Sequence, residues 1–178
     1  MRLYPALVLI LLSALVVLCG CTTGSPSGGL QDSTYDDPFA YCAAVGAVDA
    51  PDERYTGAAL PDAIIEGMVA QGILSADAPP EFAGNAVWRC MAGGVWFCHF
   101  GANLPCLEQA DLSKTPSEAI QEFCTANPDA EVIPAAVTGR ATVYEWACTD
   151  GEPEAVRQVF ESDPQGYLGA FWYELEAK

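Results

Sequence analysis

Residues 87–100 read Val-Trp-Arg-Cys-Met-Ala-Gly-Gly-Val-Trp-Phe-Cys-His-Phe. Two runs rich in aromatic and β-branched side chains, 87–91 and 95–100, flank Gly93-Gly94, a pair that accepts positive φ, so the stretch predicts a β-hairpin. Each run carries a cysteine, Cys90 and Cys98, so the hairpin is also a place where the fold is stapled. Fifty-eight residues on, the pattern W-x-C-x-x-G of Trp88, Cys90 and Gly93 returns as Trp146, Cys148 and Gly151. In a strand, the Trp and Cys of that pattern point to one face, which places both tryptophans in the core against disulfides rather than on a ligand platform.

Outward from the hairpin, residues 141–148, 155–160 and 167–175 alternate in strand fashion. They are separated by Asp150-Gly151 and by Asp163-Pro164-Gln165-Gly166, and predict a three-stranded meander, with a helix over Glu154 to Glu161 as the alternative for the middle segment. Three segments have helical grammar. Asp37-Pro38 opens residues 39–45, which stop at Gly46. Residues 61–71 put Ile64, Ile65, Met68 and Val69 on one stripe. Thr115, Pro116 and Glu118 form a capping box before Ala119, Ile120, Phe123 and Cys124. The fold class expected is α+β: an antiparallel sheet of about five strands with about three short helices on one face, stapled by disulfides.

The front of the chain carries an address. Arg2 is followed by an apolar run to Leu18 and then by Cys19-Gly20-Cys21. The stretch Leu18-Cys19-Gly20-Cys21 resembles a bacterial lipobox. Membership of the bacterial lipoprotein class implies cleavage before Cys21 and diacylglycerol on that cysteine, which gives lasting membrane anchorage. Thr22 at the following position implies, in a Gram-negative host, sorting to the outer membrane. An uncleaved membrane helix is the competing reading, since about 18 apolar residues just span a bilayer. Thr22 to Gly29 is instead a Ser/Gly/Thr/Pro tether with no basic flank to stop transfer. The organisation expected is a signal peptide at 1–20, a tether at 21–34 and one domain at 35–178.

Beyond the lipidated Cys21 and the signal's Cys19, six cysteines remain: Cys42, Cys90, Cys98, Cys106, Cys124 and Cys148. An even number in an oxidising compartment predicts three disulfides. The pairings expected are Cys42 with Cys124 between helices, Cys90 with Cys148 between the two echo strands, and Cys98 with Cys106 locally. The stretch 101–106, Gly-Ala-Asn-Leu-Pro-Cys, and the later Val137-Thr138-Gly139-Arg140 resemble small cysteine-rich exported bacterial proteins. That resemblance covers most of the mature domain and implies no activity.

All 24 Asp and Glu follow Cys21, while Arg2 is one of only seven Lys and Arg, so the mature side chains carry a net −18. Such a surface repels phosphate backbones and anionic headgroups, which argues against nucleic acid and leaves the lipid as the membrane contact. It attracts a cationic protein.

Chemistry-bearing motifs are sparse. His99 is the only histidine, and no CxxC, HExxH, G-x-S-x-G, P-loop or Rossmann fingerprint occurs, so no cofactor or metal is expected. Asp49 to Glu53 and Asp150 to Glu154 lack the ligand alternation of an EF-hand and read as polar turns. On strand alternation, Tyr167, Phe171 and Tyr173 share one face and Trp172 takes the other. Trp172 and Tyr173, with His99, are therefore the candidate binding residues, for a partner loop or a cell-wall glycan. The reading reached is a non-enzymatic interaction module on the envelope. A lysozyme-inhibitor-like role is a sharper version of it, and an envelope hydrolase using acids and His99 is the alternative.

Overall fold

In the computed structural model, residues 33–100 and 104–177 are described, within a unit spanning Asp32–Lys178. The signal 1–20, Cys21, the tether up to residue 32 and Gly101 to Asn103 lie outside the described residues. Along the chain come α1 (Pro38–Val45), α2 (Asp62–Ala70), α3 (Pro80–Ala83), β1 (Ala86–Met91), β2 (Gly94–His99), α4 (Glu118–Ala126), α5 (Ala135–Thr138), β3 (Tyr144–Thr149), β4 (Glu152–Gln158) and β5 (Tyr173–Leu175). No helix among the described residues is long and apolar enough to cross a membrane.

The first helix starts as its sequence dictates: Asp37 Oδ1 accepts from the Ala40 N–H at 2.7 Å, and Pro38 fills the first turn. On α2, Ile64 and Met68 are fully buried, Ile65 packs at the edge of the same core, and Val69 is half-buried. α4 corrects the expected capping box. Its cap is Ser117, whose Oγ accepts from the Ile120 N–H at 3.3 Å. Thr115 is spent earlier, because its N–H donates to Ser113 Oγ at 3.0 Å while the Ser113 N–H donates to Asp111 Oδ1 at 2.9 Å. Those local turns hold residues 111–115 out of the helix. Two proline-led single turns, α3 and α5, add to the three helices expected.

Both hairpins are antiparallel and turn through two positive-φ residues, Ala92 (+52°) with Gly93 (+81°) and Asp150 (+53°) with Gly151 (+83°). The first turn thus lies one residue earlier than Gly93-Gly94, and Gly94 pairs with Met91 as the first residue of β2. Two positive φ values in succession suit the right-handed twist of the flanking strands.

The five antiparallel strands form two sheets, β1-β2-β5 and β3-β4. The α+β class with three disulfides stands, and the single sheet and the C-terminal meander are corrected. β5 leaves β4 and pairs with β2, where Tyr173 stacks on Phe97 with ring centroids 5.5 Å apart. The position equivalent to Val95 in the second hairpin is Pro153, which has no N–H to offer a third strand.

The disulfides are Cys42–Cys90, Cys98–Cys106 and Cys124–Cys148. The local pair is as expected, while the pairings Cys42 with Cys124 and Cys90 with Cys148 are corrected. α1 and α4 are each stapled to the next hairpin along the chain. The backbone repeats the same arrangement around each staple. Four residues after the helix cysteine, the Gly46 and Pro128 carbonyls accept from the turn glycines Gly93 (2.7 Å) and Gly151 (3.0 Å). Six residues after it, the Val48 and Ala130 carbonyls accept from Cys90 (3.1 Å) and Cys148 (2.8 Å). Trp88 and Trp146 are each buried in the core that holds their own disulfide. The domain is one helix–cysteine–hairpin unit used twice. Only the first copy adds β5 and the Cys98–Cys106 staple.

Candidate binding groove

The residues singled out from sequence do not form a site together. Trp172 is only 6% exposed, and its ring lies 3.9 Å from the Arg89 guanidinium. Tyr167 flanks the same guanidinium at 4.4 Å, and Asp163 pairs with it through Nη2. Arg89 is fully buried, on the strand face opposite Trp88 and Cys90. Trp172 is therefore a wall of a buried cation cage and not an open stacking platform, which corrects the expectation. The strand alternation that motivated it fails because residues 169–171 form a single 3-10 turn, which lets Tyr167 and Trp172 meet at 5.8 Å. Tyr173 is half-buried on Phe97. His99 ends β2 with Nε2 2.9 Å from the Phe82 carbonyl oxygen.

Elsewhere, a groove of about 660 Å³ runs between α2, the start of α1 and the C-terminal segment. Trp172, Tyr173 and His99 do not line it. On α2, Ala63, Gly67 and Ala70 recur at helical spacing and give one wall of small side chains. Leu175 crosses this wall at Gly67, where an added Cβ would fall 2.1 Å from Leu175 Cδ2. Glycine is thus what lets the C-terminal strand lie this close to the helix. The strand is tied there by Gln71 Nε2, which donates to the Glu174 carbonyl at 3.2 Å. Phe39, from the first turn of α1, adds an aromatic surface.

Four acidic residues, Asp37, Glu66, Glu174 and Glu176, are among those that line this trough, and the described lining holds no lysine, arginine or histidine; Glu174 meets α2 through its backbone, while its Oε1 lies on the other face of the sheet, 2.8 Å from where a Gly94 Cβ would stand. The formal charge of −17 belongs to the whole chain and favours cations over anions near its surface. The described lining also contains no serine, threonine or cysteine. Among the described residues no group of three or more His, Cys, Asp or Glu is placed to hold a metal ion.

Perturbed ionisation lies outside the groove. The Arg54 guanidinium hydrogen-bonded to Asp52 holds that carboxyl down at about 2. Burial pushes the Tyr41, Tyr55 and Tyr167 hydroxyls up.

Comparison with protein-family models, with curated proteins and with solved structures returns no match. The chemistry of the groove itself therefore bears the functional reading. Sequence reasoning missed this groove because its walls come from residues 37–39, 63–71 and 174–177, and nothing local links them. The Ala63, Gly67 and Ala70 spacing with Glu66 beside it was the available signal.

Proposed function

We propose that the chain is an envelope-anchored, non-enzymatic interaction module that captures a cationic protein. The observation that carries this reading is the apolar groove beside α2 in a strongly acidic chain. The lipobox-like Leu18-Cys19-Gly20-Cys21 supports display from a membrane, and three staples suit a domain working in an oxidising compartment. The net charge speeds encounter with a basic partner and disfavours nucleic acid and anionic lipid. Burial of both echo tryptophans and of Trp172 counts against a stacking platform built on them for glycan.

Two experiments test this. The full chain, expressed in a bacterial host with its own signal, is expected in the membrane fraction, and Cys21→Ser is expected in the soluble fraction; retention of the variant on membranes would remove the anchor. Purified in non-ionic detergent, the oxidised protein is expected to retain a basic protein at about 0.15 M salt, where loose charge contacts are screened. A panel of basic secreted proteins that all wash through at that salt would overturn the interaction reading.

A further inference from the structure

The two hairpins share one scaffold, so the C-terminal segment has two similar hairpins to lie against. Its sequence neighbour is β4, and strands that follow one another usually pair. After leaving β4 at Gln158 it nonetheless crosses to β2, where Tyr173, Glu174 and Leu175 pair with Phe97, Trp96 and Val95. A three-residue ladder is too short to decide between two hairpins by its backbone bonds alone. The positions at which the copies differ show what decides. Arg89 on β1 lies opposite Trp96 on β2, and the equivalent pair in the second hairpin is Ala147 opposite Glu154. The crossing segment brings a matching set to the first pair only: Asp163 on Nη2, with the Tyr167 and Trp172 rings 4.4 and 3.9 Å from the guanidinium. On the second hairpin, Glu154 would set a like charge against Asp163, and Arg157 is already held by Glu145 at 2.8 Å.

Stability alone does not account for the arginine. It is fully buried, and among the described residues its Nε and Nη1 have no hydrogen-bond partner. Apolar side chains of the same volume commonly match or exceed a buried ion pair in stability, and what the pair supplies instead is a choice between competing arrangements. We infer that Arg89 and Asp163 are positioning residues that select the first hairpin over the second as the dock for residues 162–175. Pro153 acts on the same choice from the other side, since it has no N–H at the position equivalent to Val95. The choice reaches beyond β5. Leu175 packs against Gly67 and lines the groove beside α2, so the groove forms only when the segment docks on the first hairpin.

Amide hydrogen exchange of the isotope-labelled full chain in non-ionic detergent, read by NMR, tests this with two variants. Arg89→Met/Asp163→Leu removes both charges and keeps apolar bulk. In it the β5 amides are expected to exchange faster by about tenfold or more, while amides bonded between β1 and β2 change by less than about twofold. Urea midpoints do not separate selection from general weakening, but this difference between β5 and its own sheet does. Arg89→Ala/Ala147→Arg/Pro153→Val transplants the selecting features to the second hairpin. There the Trp172 ring is expected to lose its nuclear Overhauser contacts with β1 and β2 and to gain contacts with β3 or β4. The inference is overturned if the charge-free pair leaves β5 protection unchanged, or lowers it only in step with β1 and β2. It is also overturned if Trp172 in the transplant stays on the first hairpin or settles on neither.

Discussion

Arg89 is the buried charge on which the join between the first hairpin and the C-terminal segment depends. Its guanidinium is fully buried, Asp163 supplies its counter-charge, and Tyr167 and Trp172 flank it at 4.4 and 3.9 Å. Asp163 works in two directions, since its Oδ1 also accepts from the Gln165 N–H at 2.9 Å and the Tyr167 N–H at 3.1 Å. Asp163→Asn keeps the shape and leaves a buried cation without its anion, a change that costs about 3 to 5 kcal/mol. The whole net stability of a domain is about 5 to 15 kcal/mol, so the loss is a large fraction. Arg89→Met keeps much of the apolar stem against the two rings but strands the Asp163 carboxylate, whose side chain is only 6% exposed, at a comparable cost. The double variant removes both charges and is expected to cost less than the sum of the singles by about 2 kcal/mol or more. Urea denaturation with the disulfides intact reads all four corners of this cycle. Singles below about 1 kcal/mol, or strictly additive costs, would refute the claim that the pair acts as a buried unit. The second hairpin offers an internal comparison. Ala147 occupies the position equivalent to Arg89, so the shared scaffold does not itself need this charge.

Opening the disulfides one at a time by paired Cys→Ala variants is expected to cost in the order of the loops closed. Separations of 8, 24 and 48 residues give about 2.5, 3.5 and 4 kcal/mol of loop entropy for Cys98–Cys106, Cys124–Cys148 and Cys42–Cys90; peptide mapping that recovers a Cys42–Cys124 link would contradict the repeat. Asp52, held at about 2 against an ordinary 3.8, contributes stability above that ordinary value and loses it as the pH falls through about 2. Arg54→Gln should return the carboxyl toward 3.8 in an NMR titration, and a value that stays near 2 would show that another group lowers it. Gly67→Ala should destabilise by forcing Leu175 away from α2, at about 1 to 3 kcal/mol. In a Leu175→Ala background the same change should stabilise, because alanine exceeds glycine in helix propensity by about 1 kcal/mol; thermal melts that show the same sign in both backgrounds would rule out that contact as the cause.

What was legible in the sequence was local. Asp37-Pro38 before an apolar run and Gly46 after it determine α1, since the cap and stop act within a few residues. Asp150-Gly151 likewise sets the second hairpin, and the W-x-C-x-x-G echo marked both core tryptophans. The illegible part was long-range. The echo invited a link between its own two cysteines, but the backbone bonds from residues 46, 48, 128 and 130 tie each hairpin to the helix before it. No periodicity announces that β5 will cross to β2, because a three-residue strand gains its place from the Phe97 ring and from the missing N–H of Pro153. Trp172 looked open on strand alternation, and the 3-10 turn at 169–171 rotated it onto Arg89. The groove depends on α2 meeting the last residues of the domain at Gly67, and that meeting has no signature within either segment.

The proposed cationic partner is expected to dock beside α2. Backbone amide shifts of the isotope-labelled full chain in detergent, followed while a basic amphipathic peptide, acetyl-Leu-Lys-Leu-Arg-Leu-amide, is added, locate that contact. The account predicts shifts that saturate together along residues 63–71 and 174–177 and near Asp37, with β4 unmoved. Shifts centred on β4, or spread evenly over every acidic surface without saturation, would contradict it.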